Sequence, residues 1–146
     1  MTAKEYLTQV GDLDHRISIL LRERQSLIAK VSGVQSPQLK DDRVSGGGSG
    51  DAMAGTINRY VDIERELTEM TERYVELRLQ IVRQIEDLPD ARHAQLLYLR
   101  YVEGRRLEDI ACIMKRPGGL FYSYRHIKRM HGCALASFSR KYVDVL

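Results

Sequence analysis

A heptad pattern of apolar residues over positions 60–88 limits the possible folds of this chain more than any other feature. Two interleaved series recur every seven positions: Tyr60, Leu67, Tyr74, Ile81 and Leu88, and Ile63, Met70, Leu77 and Gln84. This spacing, sustained over about four heptads, is typical of a long helix with an apolar stripe. An isolated helix cannot bury such a stripe, so the segment from Ala52 to Leu88 requires a helical partner.

The nearest partner is the segment from Ala3 to Val31. Its apolar residues follow an alternating 3-4 spacing, in which Arg24 fills one position. They are Val10, Leu13, Ile17, Leu20, Leu27 and Val31. Residues 32–51 contain Ser36-Pro37 and a glycine-rich run and are predicted to form a flexible loop. Residues 1–88 should therefore form a long antiparallel helical hairpin, a coiled coil.

The predicted hairpin leaves part of its seam uncovered, because the first segment is shorter than the second. The C-terminal domain or a second chain could cover the remainder, and we expect a homo-oligomer formed through the hairpin. The glycine-rich loop does not predict a nucleotide site, since no Gly-Lys-Ser/Thr ending follows it.

A second domain is predicted from residue 89 to residue 146, which makes the fold all-α. Pro89 ends the preceding helix and Asp90 suits an N-cap. The first helix contains Leu96 to Val102 and stops at Gly104, and the second covers 107–114. The third covers 123–142, is capped by Ser123, and has an apolar face of Ile127, Met130, Ala134, Leu135 and Phe138.

Charge is distributed unevenly between the two predicted domains. Residues 1–88 hold 12 Lys/Arg and 15 Asp/Glu, a net of −3, whereas residues 89–146 hold 11 and 5, a net of +6. Between Lys115 and Lys141 there are seven basic residues and no acidic one. A basic segment of this kind suits a polyanion, although a merely structural three-helix bundle with a basic face is the competing interpretation.

The apolar face of the third helix predicts which of its residues point outward. Tyr124, Arg125, Lys128 and Arg129 should form one exposed stripe, which fits the major groove of double-stranded DNA as a base-contacting surface. Six further residues are predicted to contact phosphates: Lys115, Arg116, Ser123, His126, Arg140 and Lys141. The pattern therefore favours a helix-turn-helix domain that binds DNA.

The stretch from Leu96 to Gly104, followed by Leu107-Glu108-Asp109-Ile110-Ala111, resembles the fourth region of bacterial sigma factors. A closer resemblance is to a phage and prophage family of unknown function. It rests on residues 122–127, on Arg129-Met130-His131-Gly132 and Ala134-Leu135, and on residues 3–7 and 44–48. Related phage proteins of the RinA and ArpU type imply a transcriptional regulator of late genes, acting in the cytoplasm of a bacterial host.

Two alternatives to this function remain open. One is a small terminase-like subunit for DNA packaging, and the other is an adaptor that binds RNA polymerase. The chain also departs from the phage family, because residues 115–121 lengthen the turn before the third helix. That turn could act as a small wing or could tilt the helix.

Several other classes of function are not favoured by the sequence. Cys112, Cys133, His126 and His131 match no common zinc spacing, so we expect no metal site and no cofactor. Cys112 is placed on a core helix. No catalytic arrangement of nucleophile, base or paired carboxylates is recognisable, which predicts that the protein is not an enzyme. No long apolar run predicts a membrane span, no signal peptide is evident, and both cysteines are expected to be reduced.

Overall fold

A computed structural model describes residues 1–33 and 49–145. In chain order the helices are α1 (Ala3–Val31), α2 (Ser49–Glu86), α3 (Ala91–Leu97), a π-helical turn (Tyr98–Val102), α4 (Leu107–Ala111) and α5 (Tyr124–Lys141). The prediction of an all-α fold is confirmed. Within the described ranges, no helix has a segment that is long and apolar enough to span a membrane.

The chain divides into two compact units, and the division differs from the predicted boundary between residues 88 and 89. Unit 1 comprises residues 1–14 and 74–146, and unit 2 comprises residues 15–73. The two ends of the predicted hairpin segment, 1–14 and 74–88, therefore belong with the C-terminal helices.

The core of unit 1 explains this division. Leu7 and Val10 of α1 and Ile81 and Ile85 of α2 are buried in the same hydrophobic cluster as Phe138 of α5. This cluster also contains Leu96, Leu97, Ile110, Met114, Ile127 and Ala134. The C-terminal helices thus cover the end of the heptad seam, which was one of the two predicted alternatives.

A polar contact fastens α1 to α2 within unit 1. The Tyr6 hydroxyl donates to Gln84 Oε1 at 3.0 Å and accepts from Gln80 Nε2 at 3.0 Å. Burial, the larger effect, raises the pKa of Tyr6, while the bond to Gln84 opposes it. The predicted apolar stripe began at Val10 and missed Tyr6 and Leu7, which are both buried.

Unit 2 is an antiparallel pair of helical segments with little buried surface. Among its described residues only Leu27, Ile63 and Leu67 are buried. Arg24, which interrupts the apolar stripe of α1, forms an ion pair with Glu64 at 3.1 Å. Val31 was predicted on the buried stripe, but it lies at the last turn of α1 and is 44% exposed.

The helix ends follow local signals, with one shift. Gly33 has a φ of 67°, as expected of a glycine that follows a helix end. Asp90 accepts from the backbone amide of Arg92 at 2.9 Å, which confirms it as an N-cap. Helix α2 begins at Ser49, so residues 49–51 are helical rather than part of the predicted 32–51 loop. The rest of that prediction, residues 34–48, lies outside the described residues.

The predicted helices of the C-terminal region are present with two corrections. The first continues from α3 into a π-helical turn, closed by a bond from Glu103 N to Tyr98 O at 3.1 Å, and Gly104 (φ 71°) follows. The second was predicted to reach Met114 but ends at Ala111. It ends early because the amides of Cys112 and Ile113 bond carbonyls three residues back. Cys112 is consequently exposed and does not lie on a core helix.

Candidate nucleic-acid interface

Helix α5 begins where the sequence predicts, because Ser123 caps it. The Ser123 Oγ accepts from the His126 amide at 3.2 Å, while its own backbone is extended at ψ 154°. Ile127, Met130, Ala134 and Phe138 are buried along one face. This face packs α5 against the core, and the opposite face is left exposed.

Arg125 and Arg129 lie one helical turn apart on the exposed face. Both side chains are exposed, and within the described ranges neither side chain forms a hydrogen bond or an ion pair. A helix exposes a charge without a partner at low cost in water, and that charge stays available for an external anion. These two guanidinium groups are the freest cations of the predicted stripe.

Tyr124 and Lys128 make a separate pair toward α4. The Lys128 ammonium lies 4.5 Å from the centroid of the Tyr124 ring. Partial desolvation, followed by a hydrogen bond to Glu108 of α4, raises the pKa of Tyr124. The four residues predicted to form one stripe are therefore two pairs, of which only Arg125 and Arg129 lack partners among the described residues.

Residues 114–122 form a tight hairpin immediately before α5. Lys115 and Phe121 make an antiparallel β-bridge, Tyr122 N donates to Met114 O at 3.2 Å, and Arg116 N donates to Leu120 O at 2.7 Å. Gly118 and Gly119 follow Pro117 in the turn. Their φ values are 103° and 90°, which residues other than glycine rarely adopt. The geometry is that of a short β-hairpin, while the two expected roles of residues 115–121, a small wing or a tilt of the helix, stay predictions. We call residues 115–121 the wing hairpin.

The wing hairpin presents two of the predicted phosphate contacts. Lys115 and Arg116 are both exposed, and the Lys115 ammonium lies 5.3 Å from the centroid of the Phe121 ring. Leu120 and Phe121 are 66% and 52% exposed. Apolar exposure of this size beside two cations is a feature that the sequence reasoning did not identify.

Two other predicted phosphate contacts, Ser123 and His126, lie at the first turn of α5. Ser123 is engaged as the cap, and the His126 ring packs on the buried Tyr122 ring with centroids 4.9 Å apart. Both residues are nevertheless exposed. The free amides of a helix start and its positive dipole end favour an anion at this position.

The last two predicted phosphate contacts, Arg140 and Lys141, differ in whether their side chains already have a partner. Arg140 is exposed, and its side chain makes no hydrogen bond or ion pair within the described ranges. Lys141 instead forms an ion pair with Asp87 at 2.7 Å and donates to the Asp87 carbonyl oxygen. Lys141 therefore holds the end of α5 to the residues that follow α2, and a phosphate would have to compete with Asp87.

Tyr142 reinforces the same connection. Its hydroxyl donates to Asp87 Oδ2 at 2.9 Å. The hydrogen bond from Lys141, then that from Tyr142, lowers the pKa of Asp87. Burial, then the bond to Asp87, raises the pKa of Tyr142 to about 12. Sequence reasoning missed this contact because residues 87 and 141 are 54 positions apart.

The histidine and cysteine residues do not gather into a metal site in the described part of the chain, where no cluster of three or more potential ligands occurs. The His131 ring packs beside the bundle, with Nε2 2.9 Å from the Tyr101 hydroxyl. Burial, then the charges of Arg100 and Lys4, lowers the pKa of His131. Cys133 is exposed on the outer side of α5.

No protein-family model, curated protein or solved structure matches this chain. The resemblance to phage regulators therefore stays a prediction from the sequence.

Proposed function

We propose that this protein binds double-stranded DNA by placing α5 in the major groove, and that it acts as a phage or prophage transcriptional regulator. One observation carries the DNA-binding part. Arg125 and Arg129 project without partners from the first turns of a capped helix, within a 27-residue stretch that contains no acid. The regulatory part follows only from the resemblance in the sequence.

The chemistry of the outward face supports a duplex over other anions. A helix fits the major groove, where a guanidinium can bond both O6 and N7 of guanine. Arg125 and Arg129 suit this role, while Arg116, Arg140 and the start of α5 suit phosphates on either side. Tyr124 and Lys128 add contacts to the DNA on the side of α5 that faces α4.

The experiment compares two double variants that remove the same charge. Arg125→Ala/Arg129→Ala should weaken binding to a duplex selected from a random pool by on the order of 100-fold, since each good bidentate contact is worth about 1–3 kcal/mol. Arg16→Ala/Arg73→Ala, which changes two exposed arginines of unit 2, should bind like the unchanged protein. Equal retardation by both double variants would overturn the proposal.

We also propose that unit 2 mediates homo-oligomerisation. Ile28 and Val31 of α1 and Ile57 of α2 are exposed and line an open groove together with Leu27 and Tyr60. Val61, one turn further along α2, is also exposed. Two such faces packed together would remove these apolar side chains from water, as a four-helix bundle does.

Sedimentation tests the oligomer and separates regulation from packaging. Ile28→Glu/Ile57→Glu should shift the protein to a monomer, whereas Gln25→Glu, at an exposed polar position of the same helix, should not. A dimer is expected for a regulator, and a ring of many subunits would favour the terminase-like alternative. A monomer at every concentration would exclude oligomerisation through this face.

A further inference from the structure

The wing hairpin has a combination of features that binding through α5 alone does not use. Its backbone is fixed by a β-bridge, by hydrogen bonds across the turn and by two glycines with positive φ. Its exposed side chains include two large apolar groups, Leu120 and Phe121. Two large apolar side chains held exposed on a fixed backbone are unfavourable in water, which makes this pair a candidate contact surface.

The position of the wing hairpin relates it to the proposed DNA face. Phe121 is separated from the Ser123 cap by the buried Tyr122 alone. Leu120 is three residues from the cap and therefore within about 11 Å of it along the chain. When the first turns of α5 enter the major groove, this short distance lets the wing hairpin reach the adjacent sugar–phosphate backbone.

The charges around Leu120 and Phe121 indicate which kind of partner this apolar pair fits. Lys115 and Arg116 are exposed on the same hairpin, and no acidic residue occurs between Lys115 and Lys141. Lysine and arginine are attracted to the negative potential of a narrow minor groove. Leucine and phenylalanine are side chains that insert between base steps from that groove and kink the duplex.

We propose that the wing hairpin inserts Leu120 into the minor groove next to the major groove occupied by α5, with Phe121 as the neighbouring apolar side chain, and thereby bends the DNA. The proposal rests on the proposed DNA-binding function and adds a second contact to it. Arg116 neutralises a phosphate at the edge of this groove. The cation–π contact of the Lys115 ammonium with the Phe121 ring restrains that ring on the hairpin.

The test measures bending and base unstacking separately from affinity. The full-length protein is bound to a selected duplex that carries end-attached fluorophores for energy transfer, and 2-aminopurine is placed at successive positions. The unchanged protein should shorten the end-to-end distance and raise 2-aminopurine fluorescence at one step beside the α5 site. Leu120→Ser/Phe121→Ser should lose both signals.

Two control variants identify the cause of any loss. Ile113→Ser replaces an exposed apolar residue that lies before the wing hairpin and should bend DNA like the unchanged protein. Arg116→Ala should keep the bend but make the slope of log affinity against log salt concentration shallower by about one, because one phosphate contact is lost. Because Leu120 and Phe121 are exposed, their replacement should leave the helical content and the thermal midpoint unchanged.

The possible outcomes separate this inference from the proposed function. If the unchanged protein binds the duplex and the Leu120/Phe121 variant bends it equally, the wing inference is wrong while DNA binding stands. If that variant bends DNA normally but no longer copurifies with RNA polymerase, the wing hairpin is instead a surface that contacts the polymerase. If the unchanged protein binds no duplex, both proposals fail.

Discussion

Unit 1 and unit 2 contain parts of the same two long helices but bury them very differently. In unit 1, residues from α1, α2 and all the C-terminal helices meet in one continuous cluster. In unit 2, the described residues bury three apolar side chains, and Leu21, Ile28, Ile57 and Val61 remain exposed. The positions of the heptad seam are buried or half-buried in both units, so what differs is that in unit 1 further helices join them into a larger core.

The largest expected effect comes from the core of unit 1. Phe138→Ala should lower the free energy of unfolding by about 3–5 kcal/mol, because it leaves a cavity where the ring contacts Tyr6 and Tyr142. Urea unfolding followed by circular dichroism measures the change. Ile113→Ala, at an exposed site, should cost less than about 0.5 kcal/mol. Equal losses for the two variants would contradict the assignment of Phe138 to the core.

A smaller effect is expected from the core of unit 2. Leu67→Ala should cost about 2 kcal/mol, the lower end of the range for such substitutions, since few side chains surround Leu67. Hydrogen exchange locates the effect. The amides of residues 15–31 and 57–73 should exchange faster in this variant, while those of α5 stay protected. Loss of protection in α5 would show that the two units unfold together.

The next smaller effect on stability is expected at Asp90, the N-cap of α3 in unit 1. The side-chain bond from Arg92 is the main cause that lowers the pKa of Asp90 to about 2. Because this folded-state pKa is below the unfolded value of 3.8, the stabilisation is present above about pH 4 and is lost as pH falls toward 2. Asp90→Asn should keep the cap and flatten the dependence of stability on pH over that interval.

Asp90→Ala should cost about 1 kcal/mol at neutral pH, because it also removes the acceptor for the Arg92 amide. Thermal unfolding between pH 2 and pH 7 distinguishes the two variants. A pH profile unchanged by Asp90→Asn would exclude this carboxylate as the source of the acid dependence.

The smallest effect concerns His131 on the inner side of α5. Its pKa is lowered in the folded state, chiefly by burial, so the unfolded chain takes up its proton first as pH falls. Stability should therefore decline as pH falls through about 6.5, and His131→Gln should remove this decline. The thermal midpoint of both proteins, measured from pH 7.5 to pH 5, tests this prediction. A decline that persists in His131→Gln must come from another group.

Part of the candidate interface could be predicted from the sequence because it depends on short-range rules. The Ser123 cap, the apolar face of α5 and the outward position of Arg125 and Arg129 follow from helical periodicity and capping. The partners of Tyr124 and Lys141 on other elements could not be predicted in this way. Glu108 and Asp87 lie on other elements, and only packing decides which side chains meet.

The positions of the helices, apart from the shifted ends of α2 and α4, and the caps at Asp90 and Ser123 follow from local sequence, because they depend on neighbours within about four residues. The tertiary structure decided that residues 1–14 complete the core around α5, since Tyr6 and Leu7 are buried only when distant helices pack on them. It also decided that the heptad seam joins a large shared core in unit 1 and only a small cluster in unit 2. Burial is a property of the whole arrangement, whereas periodicity records only which face of a helix can be buried.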